Sequence, residues 1–314
     1  MHSLFTTAAL LAPLVAAQIQ GHCDPADAVQ PNPIGKMNKY KNYKTTGTVN
    51  GTVAILPIKL TAARGIIPAQ YPILEEQYRA WLPSLAADEY PALLQMEQNH
   101  DLYHNGVAAG PSADFNRASI SFPFVDRLND GYSSFLYNQA VIISSAATDT
   151  IAQFQTYGGI VAPGFTASCN AYEYENGTAN LALPPAQRGI DQAAWANTNT
   201  DLSNPSIAYR FDPTASSPYS TDFWRNVTNQ PLFSSASNGK CDAVTRLPAT
   251  KVSKGAFAGV HLEGEVAILK AFYPVKGKTV WSDVFGYKVD QAYFEKPQAK
   301  CATLKGFSVV EAPA

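Results

Sequence analysis

NRASISFPFVDRLNDGYSSFLYNQAVIISS, residues 116 to 145, reads as two β-strands joined by a tight turn. Ile120, Phe122 and Phe124 alternate with Ser119, Ser121 and Val125, close to the period of two of a half-buried strand. Asn129-Asp130-Gly131 supplies residues that tolerate positive φ, the chemistry of a hairpin turn. Tyr132 to Ile143 then returns through Phe135, Tyr137, Ala140, Val141 and Ile142. Charge is confined to the turn (Asp126, Arg127, Asp130) and the entry (Arg117). A buried hairpin in mid-chain is the seed of a barrel or a folded-over sheet. The fold expected is mainly β with a few short helices (α+β), a curved antiparallel β-barrel or double sheet around an apolar pocket.

Working outward, Met1 to Ala17 holds an apolar run, Leu4 to Ala16, that ends in the small residues Ala16-Ala17. This pattern is that of a secretory signal peptide and is too short for a membrane anchor. A mature chain starting near Gln18 and a secreted location are expected, with no membrane partner. Three N-x-S/T sequons, at Asn50, Asn176 and Asn226, agree with glycosylation on that route. Four cysteines, Cys23, Cys169, Cys241 and Cys301, form the even set expected of two disulfides. Cys241 pairs with Cys169 or Cys301 in the arrangements considered. No C-x-x-C motif points to zinc, and no metal site is expected.

Charged residues make up 15% of the chain and the net charge is −2. That balance lacks the basic footprint nucleic acid requires. There is no phosphate loop, no dinucleotide fingerprint and no G-x-S-x-G elbow, so no cofactor is expected. With 16 Tyr and 15 Phe, the composition suits a single secreted β-rich domain, residues 18–314, with a small-molecule substrate.

Before the hairpin, an extended arm (Gln18 to Lys44) precedes a strand, Thr48 to Leu60, and a short helix ending at Pro68. Tyr71 to Leu82 has helix spacing, with Glu75 and Glu76 near its start and Arg79 near its end, as the helix dipole prefers. Tyr90 to Asn99 reads as a strand. His100-Asp101-Leu102-Tyr103-His104 places two histidines four apart, but Gly106, Gly110 and Pro111 make this a loop. His100, Asp101 and His104 are therefore proton-transfer candidates at a pocket mouth rather than metal ligands. A helix over Thr148 to Thr156 is expected after the hairpin. Residues 175–250, rich in Pro, Asn, Ser and Thr, read as an irregular insertion or lid. Ala256 to Tyr273, Val280 to Val289 and Gly306 to Val310 read as closing strands.

Three stretches together resemble the acetoacetate decarboxylase superfamily: IKLTAARGIIP (58–68), SISFPFVDRLNDGYSSFLYNQAVIIS (119–144) and TDTIAQFQTYGGIVAP (148–163). The resemblance implies a curved β-barrel around a small-molecule pocket. It also implies a Schiff-base lysine near Tyr157 to Phe165, yet no lysine occurs between Lys59 and Lys240. The family's glutamate aligns with Arg117, and its early arginine falls near Pro57, two residues before Lys59. The container is implied without the reagent. Secreted fungal proteins of this general architecture act as hetero-Diels–Alderases, and by that analogy the chain is expected to shape an apolar oxygenated metabolite by cyclisation or cycloaddition. Arg117 or Lys59 would steady an oxyanion, and Tyr132, Phe135, Tyr137 and Trp224 would form apolar walls. A decarboxylase, reached if Lys59 or Lys270 enters the pocket, and a non-catalytic carrier are the alternatives.

Overall fold

The computed structural model describes residues 30–144, 159–161, 164–166, 171, 173–174, 192–197, 207–248, 251–268 and 278–306. Among these described residues, seventeen strands carry the architecture: β1 (Thr45–Lys59), β2 (Glu89–His104), β3 (Val107–Ala108), β4 (Phe115–Asp126), β5 (Ser134–Tyr137), β6 (Val141–Ile143), β7 (Gly159–Val161), β8 (Gly164–Thr166) and β9 (Glu173–Tyr174). They continue as β10 (Gln192–Asn197), β11 (Ile207–Pro213), β12 (Leu232–Phe233), β13 (Lys240–Cys241), β14 (Val244–Arg246), β15 (Val260–Ile268), β16 (Thr279–Glu295) and β17 (Ala299–Lys300). Three short helices accompany them among the described residues: α1 (Leu60–Ile66), α2 (Glu75–Trp81) and α3 (Thr221–Thr228).

One ladder runs β7–β6–β4–β2–β1–β16–β15–β11–β10–β8. All these pairings are antiparallel except β6 with β7. Its end strands, β7 and β8, are separated in sequence by residues 162 and 163 alone. Three Cα–Cα steps span at most about 11 Å, so a ten-strand path must wind round until its ends nearly meet. No β7–β8 ladder joins them among the described residues. The result is a large mixed sheet that curls without hydrogen-bonded closure.

The hairpin forms with one change. Asn129 and Gly131 take positive φ, 53° and 69°, and the Asp126 carboxylate accepts from the backbone N–H of Asp130 and Gly131. The returning strand is broken into β5 and β6, and the β4–β5 register shifts between Phe122 and Val125, where Phe124 sits at φ 61°. The turn residues act locally and are legible in sequence. The bulge answers to the partner strand and is not.

Residues 175–250 depart further from expectation. The described part is no lid: β10 and β11 are members of the main sheet, β11 pairing with β15 over seven residues. α3 is capped by Ser220, whose hydroxyl accepts from the Phe223 N–H, and buries Phe223, Trp224 and Val227. Frequent Pro, Ser and Asn mask strands when their apolar partners lie elsewhere in the chain. The expected helix over Thr148 to Thr156 falls outside the described residues, as do residues 307–310 of the last expected strand.

Aromatic packing fills one half of the sheet. Tyr78, Tyr90, Phe122, Phe124, Phe135, Tyr137, Phe233 and Trp224 are each 1% exposed or less. Tyr90 stacks on Phe122, and Trp224 lies parallel to Tyr287 at 6.0 Å. Each such ring contributes about 1.5–3 kcal/mol by leaving water. On the outer face, Ile34 and Tyr40 of the N-terminal arm pack against Leu247, Ala292 and Phe294.

Candidate active site

β2 carries a single acidic residue, Glu97, through its buried stretch. Its side chain is fully buried, so its charge requires partners. Arg117 of β4 stands directly across the strand pair from it and donates from Nε at 2.8 Å and from Nη2. Arg246 of β14 reaches it from the opposite wall, with Nη1 on Oε1 and Nη2 on Oε2, the latter at 2.9 Å. Burial opposes the carboxylate's charge, but the two guanidiniums outweigh it and hold the Glu97 pKa down to about 2. Behind Glu97 on β1 lies Gly51. A Cβ there would meet the Met96 carbonyl oxygen at 2.3 Å, so the glycine lets the strands approach beside the clamp.

This clamp borders a cavity of about 70 Å³. Val49, Leu102, Phe115 and Val244 give it an apolar lining, while Arg117, Arg246, Asp242, Glu295, His104 and Tyr293 give it polar groups. Two guanidiniums share one carboxylate, so the clamp keeps one positive charge in excess. Glu295 pairs with Lys44 at 2.8 Å. Asp242 is 2% exposed, and its Oδ1 has no hydrogen-bond partner among the described residues. Burial, reinforced by the Glu295 charge, pushes its pKa up to about 7, the range a general acid or base requires. Burial also raises the Tyr293 phenol above its ordinary value. Asp242 follows Cys241, which is joined to Cys301; the bridge therefore fixes the wall that presents the carboxyl group.

Of the residues singled out by sequence, Arg117 and His104 line this cavity. Lys59 does not: its ammonium pairs with Asp88 at 2.6 Å on the surface, with both side chains more than 60% exposed. His100 and His104 are separated by an irregularity of β2. Three residues, His100 to Tyr103, span the distance of two in β1, Thr48 to Thr46, and Asp101 takes φ 50°. Ordinary alternation points His100 away from Asn99, and the extra residue after it brings Leu102 and His104 back onto Asn99's face. His100 Nδ1 lies 3.0 Å from Asp101, outside the cavity. His104 instead meets the Thr45 hydroxyl at 3.2 Å. Phe135, Tyr137 and Trp224, expected as pocket walls, belong to the packed core because their aromatic neighbours leave no space beside them. Tyr132 is 67% exposed on the outer surface.

Asn50 is buried, 2% exposed, in a strand paired on both sides, and the folded chain has no room there for a glycan. Its sequon glycine is the close-approach residue behind Glu97. Asn226 is partly exposed in α3, and Asn176 lies outside the described residues. Cys241 pairs with Cys301, one of the two arrangements considered; Cys23 and Cys169 lie outside the described residues. Among the described residues, no group of three His, Cys, Asp or Glu side chains is placed to hold a metal, and no helix is long and apolar enough to cross a membrane.

Sequence reading missed Glu97, Arg246, Asp242, Glu295 and Tyr293. The usable signal was Glu97, a lone acid in the apolar run YPALLQMEQN, where a buried charge must have a cation. Arg246 and Asp242 were hidden in the stretch read as an insertion.

No family model matches the sequence, and no curated protein matches it. Similar solved structures are acetoacetate decarboxylase-like enzymes. The enduracididine biosynthesis enzyme MppR with HEPES buffer bound is 11% identical, with a TM-score of 0.45 over 84% of this chain and 88% of that one. An acetoacetate decarboxylase-like enzyme from Sphingomonas wittichii RW1 is 9% identical, with a TM-score of 0.43 over 81% and 91%. An acetoacetate decarboxylase is 8% identical, with a TM-score of 0.41 over 85% and 92%.

Proposed function

We propose that the cavity binds a small molecule bearing a carboxylate or an enolisable carbonyl, and that Asp242 exchanges a proton with it. The observation that carries this reading is the excess positive charge of the Arg117–Glu97–Arg246 clamp beside an apolar cavity. An unneutralised guanidinium charge in a poorly solvated site favours a small anion or a developing oxyanion. Arg117 is the residue to meet it. Its side chain is 17% exposed, and Nη1 makes no hydrogen bond among the described residues.

In the step proposed, ionised Asp242 takes a proton from the carbon next to the carbonyl. The electron pair of that C–H bond becomes a C=C bond as the C=O π pair moves onto the oxygen, whose charge the guanidinium stabilises. Return of the proton to carbon completes an enolisation with no net change. The cavity, about 70 Å³, is well below the ~300–1,000 Å³ of sites for larger ligands. Its size therefore favours a substrate of a few heavy atoms over the polycyclic guest that a cycloaddition would require. A secreted location remains part of the proposal, supported by the apolar run Leu4 to Ala16 and by the Cys241–Cys301 bridge.

Pyruvate and acetoacetate are suitable probes because each is small and carries both groups. Calorimetric binding, together with exchange of the methyl protons in D2O followed by NMR, is expected for the full chain. Arg117→Met is expected to lose binding at least about tenfold. Asp242→Asn is expected to bind and not exchange. Unchanged affinity in Arg117→Met defeats the anion role, and unchanged exchange in Asp242→Asn defeats the proton role. A lysine adduct trapped by borohydride would replace this reading with Schiff-base chemistry.

A further inference from the structure

On the outer surface, away from the charged cavity, α2, the β4–β5 turn and α3 enclose a groove of about 400 Å³. Two of its walls are large aromatic side chains left in water, Trp81 at 39% and Tyr132 at 67% exposure. Gln77 ties them together by donating from Nε2 to the Tyr132 carbonyl at 2.7 Å. Its other polar groups are amides and hydroxyls. Gln230 reaches Asn226 Oδ1 at a long 3.4 Å. Exposed rings beside planar amides suit a pyranose, whose C–H face stacks on aromatics while its hydroxyls make hydrogen bonds.

One side chain lining this groove is the asparagine of a sequon, Asn226-Val227-Thr228. The contact from Gln230 goes to Oδ1. Nothing among the described residues holds Nδ2, the atom to which a sugar attaches. Asn50, in contrast, is closed off by strands on both sides.

We propose that Asn226 carries an N-linked glycan and that its first sugar lies between Trp81 and Tyr132. The bond forms between Nδ2 and the anomeric carbon of a lipid-diphosphate-linked oligosaccharide. The C1–O bond of that donor breaks, and its diphosphate leaves as the amide proton is given up. The groove is then filled by the chain's own modification, which shields two exposed aromatic rings from non-specific contact.

The test uses the full chain with its own leader in a eukaryotic secretory host, with intact mass measured before and after peptide N-glycosidase. The wild-type mass is expected to fall on treatment. Asn226→Gln is expected to lose one glycan, and Asn50→Gln none. An Asn226→Gln protein that keeps the wild-type glycan mass, or a wild type without glycan, overturns the attachment. For the seating, Trp81→Ala/Tyr132→Ala is expected to speed native deglycosylation at least about fivefold, the factor that losing two ring contacts at the low end of their range implies. Both rings are exposed, and an unchanged melting temperature verifies folding. An unchanged rate in that folded variant overturns the seating.

Discussion

β2 and β4 run side by side through two very different environments. At one end, Tyr90 on β2 and Phe122 and Phe124 on β4 meet each other and the rings of Tyr78 and Tyr137, with Phe233 against Tyr137, in a packed aromatic core. A few residues along, the same two strands present Glu97 and Arg117 to a third charged partner beside a cavity. The aromatic half is held by dispersion and by removal of apolar surface from water. The charged half is held by mutual neutralisation, which compensates burial without turning the cluster into a stronger core than hydrophobic residues would make. A sheet that maximised stability would have continued its rings. Under the proposed function, the charge cluster marks where this sheet gives up packing for chemistry.

Matched truncations put the contrast to the test. Glu97→Ala leaves two guanidiniums unpaired and is expected to cost on the order of 3–5 kcal/mol at pH 7. Phe122→Ala opens a cavity and is expected to cost a similar amount, about 3–5 kcal/mol. They differ with pH. The folded Glu97 pKa lies at about 2, below the ordinary 4.5. Its contribution is complete above about 4.5 and lost as pH falls toward 2. Denaturant melts should therefore show the Glu97→Ala deficit shrinking across that window, with the Phe122→Ala deficit unchanged. Parallel pH curves for the two variants would break the distinction.

Next in size is the bridge behind Asp242. Cys241→Ser/Cys301→Ser opens a loop of 60 residues and is expected to cost about 2–4 kcal/mol. Because the bridge anchors one cavity wall, the loss should be accompanied by weaker pyruvate binding. Intact affinity in the destabilised double variant would separate wall and site.

An effect of opposite sign is expected at Asp242. Its folded pKa is raised from 3.8 to about 7, so the folded state binds the extra proton and loses stability as pH rises from about 4 to 7. Asp242→Asn should be more stable than wild type at pH 8 and equal to it near pH 4. Ionisation of Asp242 adds negative charge beside Arg117, so wild-type carboxylate affinity should fall above about pH 7. The variant's affinity should stay flat. Lys59→Ala, on the surface, is expected to leave both stability and binding unchanged. An effect there would show that the surface pair has been misjudged.

Much of this molecule was legible along the chain. The spacing within ISFPF, the glycine of Asn129-Asp130-Gly131 and the acid-to-base order of α2 all report on neighbours within a few residues, and local sterics act at that range. The charged site resisted the same reading. Arg246 and Glu97 are 149 residues apart, and nothing near either one names the other. The additional residue at Asp101, not the spacing of the two histidines, settled which imidazole reaches the cavity. By itself, the sequence determined the strands before residue 145, the hairpin turn and the apolar content of the sheet. Tertiary structure alone decided which charges meet, because strand register and the winding of the sheet bring distant side chains to one point, and a shift of one residue sends each to the other face.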